Sequence, residues 1–165
     1  MKLKRSALAH HLNCKGKSTP AWYLIGKDID DMSVDMGGSF ETKTNILDET
    51  AVSDTGYQPS IAVTPYYADP SDEIYPFLSD LALNRKSGDA AAAEYMETIV
   101  EDTEATSHKA WKEDCRIEIT SYGGGTDGVT IEYTIHPNGN RVEGTVTFDA
   151  SKKPTFSPKG AGLSD

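Results

Sequence analysis

The sequence is poor in cysteine, in aromatic residues and in long apolar runs, and each shortage excludes something. Cys14 and Cys115 are the only cysteines among 165 residues, too few and too far apart for a disulfide scaffold, so two reduced thiols are expected. Aromatic residues make up 8% and hydrophobic residues 37% of the chain, and no stretch approaches the ~20 apolar residues that span a bilayer. That predicts no membrane association. Ahead of residue 18 the longest apolar run is Ala7-Leu8-Ala9, too short for the core of a signal peptide, and a chain made and assembled in a cytoplasm is expected. What remains is enough for one globular domain of ordinary size, which buries about 70% of its unfolded surface and needs neither disulfide nor metal to hold a core.

Basic residues are also scarce: 16 Lys and Arg face 26 Asp and Glu, for a net charge of −10. The imbalance is uneven. Residues 1–27 hold six basic and no acidic residues, residues 28–114 hold five and twenty, and residues 115–165 hold five and six. A body of this sign repels polyanions, and no basic stripe of the kind that grips a duplex exists beyond the first seventeen residues.

Apolar alternation dominates what is there. Residues 1–20 read as a basic N-terminal arm with one short helical turn around Ala7 to Leu12, 21–150 as a β-domain, and 151–165, rich in Lys, Pro and Gly, as a flexible C-terminal tail. Within the domain, Trp22 to Ile25 is β-rich, and 29–36 alternates Met32, Val34 and Met36 with Asp31, Ser33 and Asp35, a half-wet strand. Residues 40–47 form a Thr-rich strand, and 48–59, polar and acidic, a loop long enough to be functional or disordered. A strand follows at 60–67. Asp69-Pro70 caps a helix over about 70–87 with Ile74, Phe77, Leu78 and Leu81 on one face, a kink at Pro76 and a stop at Gly88. Further strands are expected at 92–102, covered on both sides, at 108–121, and on either side of Asn138-Gly139, a strong hairpin signal. Seven or eight strands and one helix predict a mainly β fold: a two-sheet sandwich or barrel with one flanking α-helix, a long inter-strand loop and extended terminal arms.

Catalytic and metal signatures are thin. His10, His11 and Cys14 fall short of the four ligands of a structural zinc site. Gly123-Gly124-Gly125 lacks the helix and Lys-Ser/Thr of a phosphate loop, Lys15-Gly16-Lys17-Ser18 lacks its upstream glycine, and no serine sits in a nucleophile elbow. The four histidines have no acid and nucleophile beside them, and the chain reads as non-enzymatic, with no cofactor.

The succession Trp22-Tyr23-Leu24-Ile25-Gly26-Lys27-Asp28-Ile29-Asp30-Asp31-Met32-Ser33-Val34, then Asn45-Ile46-Leu47, Ser53-Asp54-Thr55-Gly56-Tyr57-Gln58-Pro59 and Tyr66-Tyr67-Ala68-Asp69-Pro70, resembles the major tail tube proteins of long-tailed bacteriophages. The resemblance continues through Ile99-Val100-Glu101-Asp102 and Gly139-Asn140-Arg141-Val142-Glu143-Gly144-Thr145-Val146, and it rests on element order and phrases. It implies a structural virion protein, located in the tail and assembled in the host bacterial cytoplasm, whose hexameric rings stack into the tube through which DNA passes during ejection without specific binding. Its partners would be copies of itself, with tape-measure, tail terminator and distal tail proteins. The long loop would reach the adjacent ring through Asp48, Glu49, Val52, Asp54 and Tyr57. Asp31, Ser33 and Asp35 would face the lumen, and Lys2, Lys4, Arg5, Lys15 and Lys17 would contact neighbouring subunits.

Two alternatives stay open at this level. One is the inner tube of a contractile tail or tailocin-like device, which shares the fold. The other is a monomeric β-sandwich binding module for carbohydrate or a cell surface, which would need an exposed aromatic platform, whereas Trp22 and Trp111 sit in apolar runs that read as core.

Overall fold

The computed structural model describes residues 1–29 and 31–160. Asp30, inside the expected strand 29–36, and residues 161–165 of the expected tail lie outside the described residues. The strands are β1 (Leu8–Asn13), β2 (Trp22–Ile25), β3 (Val34–Asp35), β4 (Phe40–Thr44), β5 (Thr50–Asp54) and β6 (Ser60–Tyr67). Helix α1 (Tyr75–Leu83) precedes β7 (Ala92–Ile99), β8 (His108–Gly123), β9 (Thr130–Pro137), β10 (Val142–Phe148) and β11 (Pro154–Pro158). Nine strands form one antiparallel sheet in the order β2-β1-β7-β8-β9-β6-β3, with β10 and β11 branching from β8, and β4 and β5 form a second, two-stranded sheet. The molecule is mainly β, with two sheets and one flanking helix, as the alternating pattern predicts.

The 16 residues of β8 organise the fold. One flank pairs with β7 throughout Lys109 to Arg116, while the other pairs with β10 over His108 to Lys112 and with β9 from Cys115 onward. The sheet thus splits, and its two faces bury different cores. Leu12, Ile61, Val63, Tyr95, Ile117, Tyr133 and Ile135 pack with Leu78 and Leu81 of α1 on one face, and Met96, Ala110 and Val146 pack with Trp22, Phe148 and Phe156 on the other. Adjacent side chains on a strand point to opposite faces, so the consecutive buried pair Tyr95-Met96 serves both cores. This is the doubly covered strand that residues 92–102 predict, ending at Ile99.

The expected N-terminal arm is a correction. Residues 1–6 are exposed, but β1 lies inside the sheet between β2 and β7. Its polar residues hid it. His10 bonds the Tyr95 hydroxyl at 2.5 Å, and Asn13 donates to Glu94 and accepts from the backbone N–H groups of Lys15 and Ala21, so the burial of each is compensated. The helical turn expected around Ala7 to Leu12 is instead strand β1, and the turn that precedes it is a 3-10 turn at Arg5–Ala7. The tail is corrected too: β11 pairs with β10, and Phe156 packs over Gly144, where any Cβ would collide with the Phe156 ring and the Ser157 carbonyl oxygen.

The helix is shorter than 70–87 and has no kink. Asp69 instead folds a turn on Ser71, accepting from its N–H and hydroxyl, and α1 starts at Tyr75, which puts Pro76 in the first turn, where its missing N–H costs nothing. At the other end Arg85 takes a left-handed φ of 51° and the Lys86 N–H donates to the Leu81 carbonyl, a Schellman closure that stops the helix before Gly88. Among the described residues of the strand expected at 29–36, Val34–Asp35 alone pairs, with Ile61 and Ser60.

Candidate assembly surfaces

The loop expected at 48–59 is instead half of a hairpin. β4 and β5 pair from Phe40↔Asp54 to Thr44↔Thr50, so the strand expected at 40–47 ends at Thr44. Asn45 builds the tip: its side-chain oxygen accepts from the N–H groups of Leu47 and Glu49, its amide donates to the Glu49 carboxylate at 2.8 Å, and Asp48 adopts φ 60°. At the base the Thr55 N–H donates to the Ser39 carbonyl and the Gln58 N–H to the Met36 carbonyl. Gly37 is needed there, with φ 56° and no room for a Cβ beneath the Gln58 carbonyl.

No residue from 35 to 58 is buried or even half-buried, although the segment carries large apolar side chains. Ile46 is 100% exposed, Leu47 72%, Val52 68% and Phe40 63%. Asp48, Glu49, Val52, Asp54 and Tyr57 all lie on this projection, the first two at its tip and Tyr57 at its base. Met36, Phe40, Ile46 and Leu47 belong to the same surface and escaped the sequence reading, because a solvated hairpin has no burial pattern to betray it. Residue-type alternation within Thr-rich β4 was the available signal.

Asp31, Ser33 and Asp35 are exposed on one side of their segment, while Met32 is buried and Val34 half-buried. Pairing of β3 with β6 and of β6 with β9 continues their face across Ser60, Ala62 and Thr64 to Glu132, Thr134 and His136, and then to Glu118 on β8. His136 and Glu118 bond at 2.6 Å. No chain covers this face among the described residues, and its side chains are mostly small, hydroxylated or acidic.

The five basic residues expected to contact neighbouring subunits are not gathered in one place. β1 separates Lys2, Lys4 and Arg5 from Lys15 and Lys17 by six strand residues, about 20 Å. Arg5 turns inward, donating to the Leu8 and Met32 carbonyls and lying 3.2 Å from His10 Nε2. Lys17 pairs with Asp114 at 3.0 Å. Behind Arg5 a polar chain runs from His10 to the Tyr95 hydroxyl, which donates to Glu97, and on through Arg141 to buried Glu113. Burial holds His10 below its ordinary pKa, opposed by Glu97, and burial pushes Tyr95 far up.

The residues weighed for chemistry are dispersed. His10 and His11 are consecutive in β1 and face opposite cores, His10 stacking on Tyr95 and His11 lying against Phe148. Burial pushes the Cys14 thiol up to about 12 and Cys115 higher still, so neither is a ready thiolate. Among the described residues no three His, Cys, Asp or Glu side chains converge as a metal site requires. Trp22 is half-buried against the Met96, Ala110 and Val146 core, and Trp111 lies beneath the Arg141 guanidinium, 5.6 Å from its ring, so neither makes an open aromatic platform. No described helix is long and apolar enough to cross a membrane.

Scanned against protein-family models the chain matches none, and a search of curated proteins returns no match.

Proposed function

We propose that the protein is a structural subunit of a bacteriophage tail, forming hexameric rings that stack into the tube through which DNA leaves the particle. The observation that carries this reading is the β4–β5 hairpin. A two-stranded hairpin standing in water is marginal by itself, and exposed apolar side chains gathered on one projection mark a protein contact. A partner that buries Ile46, Leu47, Val52 and Phe40 gives the projection its purpose, and a stacked second copy is such a partner. The uncovered face bearing Asp31 and Asp35 supports a lumen: carboxylates there repel phosphates and release no counterions, so DNA slides without being held.

The test is electron microscopy of the purified chain beside a variant in which 40–54 is replaced by Asn-Gly joining Ser39 to Thr55, whose backbones already bond at 3.1 Å. The wild type is expected to give rings and tubes. The variant is expected to remain a folded monomer with the wild-type circular dichroism of its body. Long tubes from the variant would overturn the inter-ring role of the hairpin, and a wild type that stays monomeric at high concentration would overturn the whole reading.

A further inference from the structure

We propose that the hairpin tip of one copy seats in the groove between the end of α1 and β8 of the next copy, an inference that rests on the stacked-subunit reading and supplies its receptor. The groove, about 540 Å³, is lined by Leu81, Ala82, Arg85, Ile117, Ile119 and Tyr122, among others. Its floor is apolar, and its charged lining is Arg85, Lys86 and Arg116 beside one acid, Glu118, which is engaged with His136. Arg85 makes no ion pair among the described residues, and Lys86 stands beside it, paired with Asp80 at 2.8 Å.

The tip has the complementary composition. Ile46 and Leu47 are its most exposed apolar residues, and they are followed by Asp48 and Glu49. Neither carboxylate meets a cation among the described residues; Glu49 bonds only the neutral Asn45 amide. Apolar contact in the centre with opposite charges at the rim is the arrangement that selects one partner surface over another.

Strand register places the two surfaces at opposite ends. Ile61 is level with Ile135 and Ile117, and the hairpin leaves past Ser60 and Asp35, toward the His108 end of β8. The groove runs the other way from Ile117, toward Tyr122. A projection at one end and its receptor at the other make a head-to-tail contact, which repeats without limit as a stack requires. A second apolar groove, lined by Arg5, Leu8, Leu24, Ile25 and Met32, also has a cation at its rim but lies at the end from which the hairpin departs, so a stacked copy cannot present it to the tip.

Mixed cross-linking tests this. Full-length I46C and Y122C are prepared separately, mixed, allowed to assemble and mildly oxidised, with I46C plus L24C as the competing pair. Disulfide-linked dimers are expected from I46C with Y122C, and from neither variant alone. Assembled tubes that show no such link, or that link I46C to L24C instead, overturn the docking site while leaving the tube reading intact. A wild type that never assembles overturns both.

Charge reversal gives a second readout. D48N/E49K and R85D are each expected to raise the concentration needed for assembly at least tenfold, with asparagine at 48 and aspartate at 85 chosen because both tolerate the left-handed backbone found there. Combining them is expected to restore assembly to within about threefold of wild type. Failure of the combination to recover, with each variant keeping the wild-type melting temperature, would refute the pairing.

Discussion

The hairpin and the body of the molecule use the same residue types to opposite ends. In the body, Ile, Leu, Val and Tyr alternate into two cores, and Leu78, Ile61, Val63 and Ile135 are fully buried. In the hairpin, Ile46, Leu47, Val52 and Phe40 are mostly exposed, and a five-pair ladder and the Asn45 tip hold the strands together. The body's apolar residues stabilise the monomer. Those of the hairpin stabilise no part of it and are available to a second molecule. Neither composition nor pattern separates the two roles: Phe40, Thr42 and Thr44 alternate with Glu41 and Lys43 as residues of the body do, but in β4 no core lies beneath either face.

Substitution is the most direct way to break that comparison. Leu78→Ala removes a side chain from the packed junction of α1 with the sheet and is expected to cost about 2–5 kcal/mol of unfolding free energy. Ile46→Ser, at a fully exposed site, is expected to change it by less than about 0.5 kcal/mol, and yet to raise the concentration needed for assembly several-fold, more than the apolar I46C does. Urea denaturation reads the first quantity and sedimentation velocity the second. A destabilised Ile46→Ser monomer would show that the hairpin folds back on the body, and the contrast would fail.

The legibility of the sequence divides along the same line. The strands at 108–121 and around Asn138-Gly139 could be read because one residue in two is buried there, and helix α1 could be read because Leu78 and Leu81 recur at helical spacing. β1 could not. His10 and Asn13 are buried polar residues whose partners, Tyr95, Glu94 and the Ala21 N–H, come from distant or irregular chain, and sequence shows a polar residue without showing its partner. The helix end was misplaced because the chain closes it with a left-handed arginine rather than with Gly88. Of the candidate surface, the acidic face and the projecting segment were legible as charge and length, while the receptor groove was not, since it joins the end of α1 to residues more than thirty positions later in β8.

The second contrast lies within the body, between groups that titrate inside it and charges that stand in water. Burial pushes His11 down to about 4, with His10 a smaller contribution, and its Nδ1 has no hydrogen-bond partner. An unfolded histidine takes up its proton near pH 6.5, whereas folded His11 resists until about 4. Between those values the unfolded state binds more protons, so stability falls as pH falls. The shift corresponds to about 2 kcal/mol lost between pH 7 and pH 4.5 through this residue, and His10, held down in the same direction, adds to it. Asp80 and Asp114 are held below the ordinary carboxylate range by Lys86 and Lys17, so their contributions are lost only at lower pH and do not confuse the window. His11→Leu, which fits beside Phe148 and forfeits no Nδ1 hydrogen bond, is expected to flatten the profile over that range. Thermal melts at pH 7 and 4.5 that fall equally in wild type and variant would place the pH sensitivity elsewhere.

The smallest expected effect on the fold, and the most specific for the tube, comes from the acidic face. Asp31 and Asp35 are exposed, and neither pairs with a cation among the described residues. Asp35 accepts only the Gly37 N–H, at 3.0 Å, and Asp31 only the Ser33 hydroxyl, at 3.5 Å. Asp31→Lys with Asp35→Lys is accordingly expected to leave stability within about 0.5 kcal/mol and, apart from the lost Asp35–Gly37 bond at the hairpin base, to leave the hairpin ladder and the groove in place, so tubes still form. Each subunit then turns two repulsive charges into two attractive ones. In a hexameric ring the change is repeated around the channel, and phosphate contacts that release counterions appear where there were none. Particles carrying the variant are expected to eject DNA more slowly at low salt and to recover toward the wild-type rate as salt is raised, because such contacts weaken steeply with ionic strength. A rate unchanged at every salt concentration, with intact tubes, would remove these two residues from the lumen and leave the hairpin as the part of the comparison that still stands.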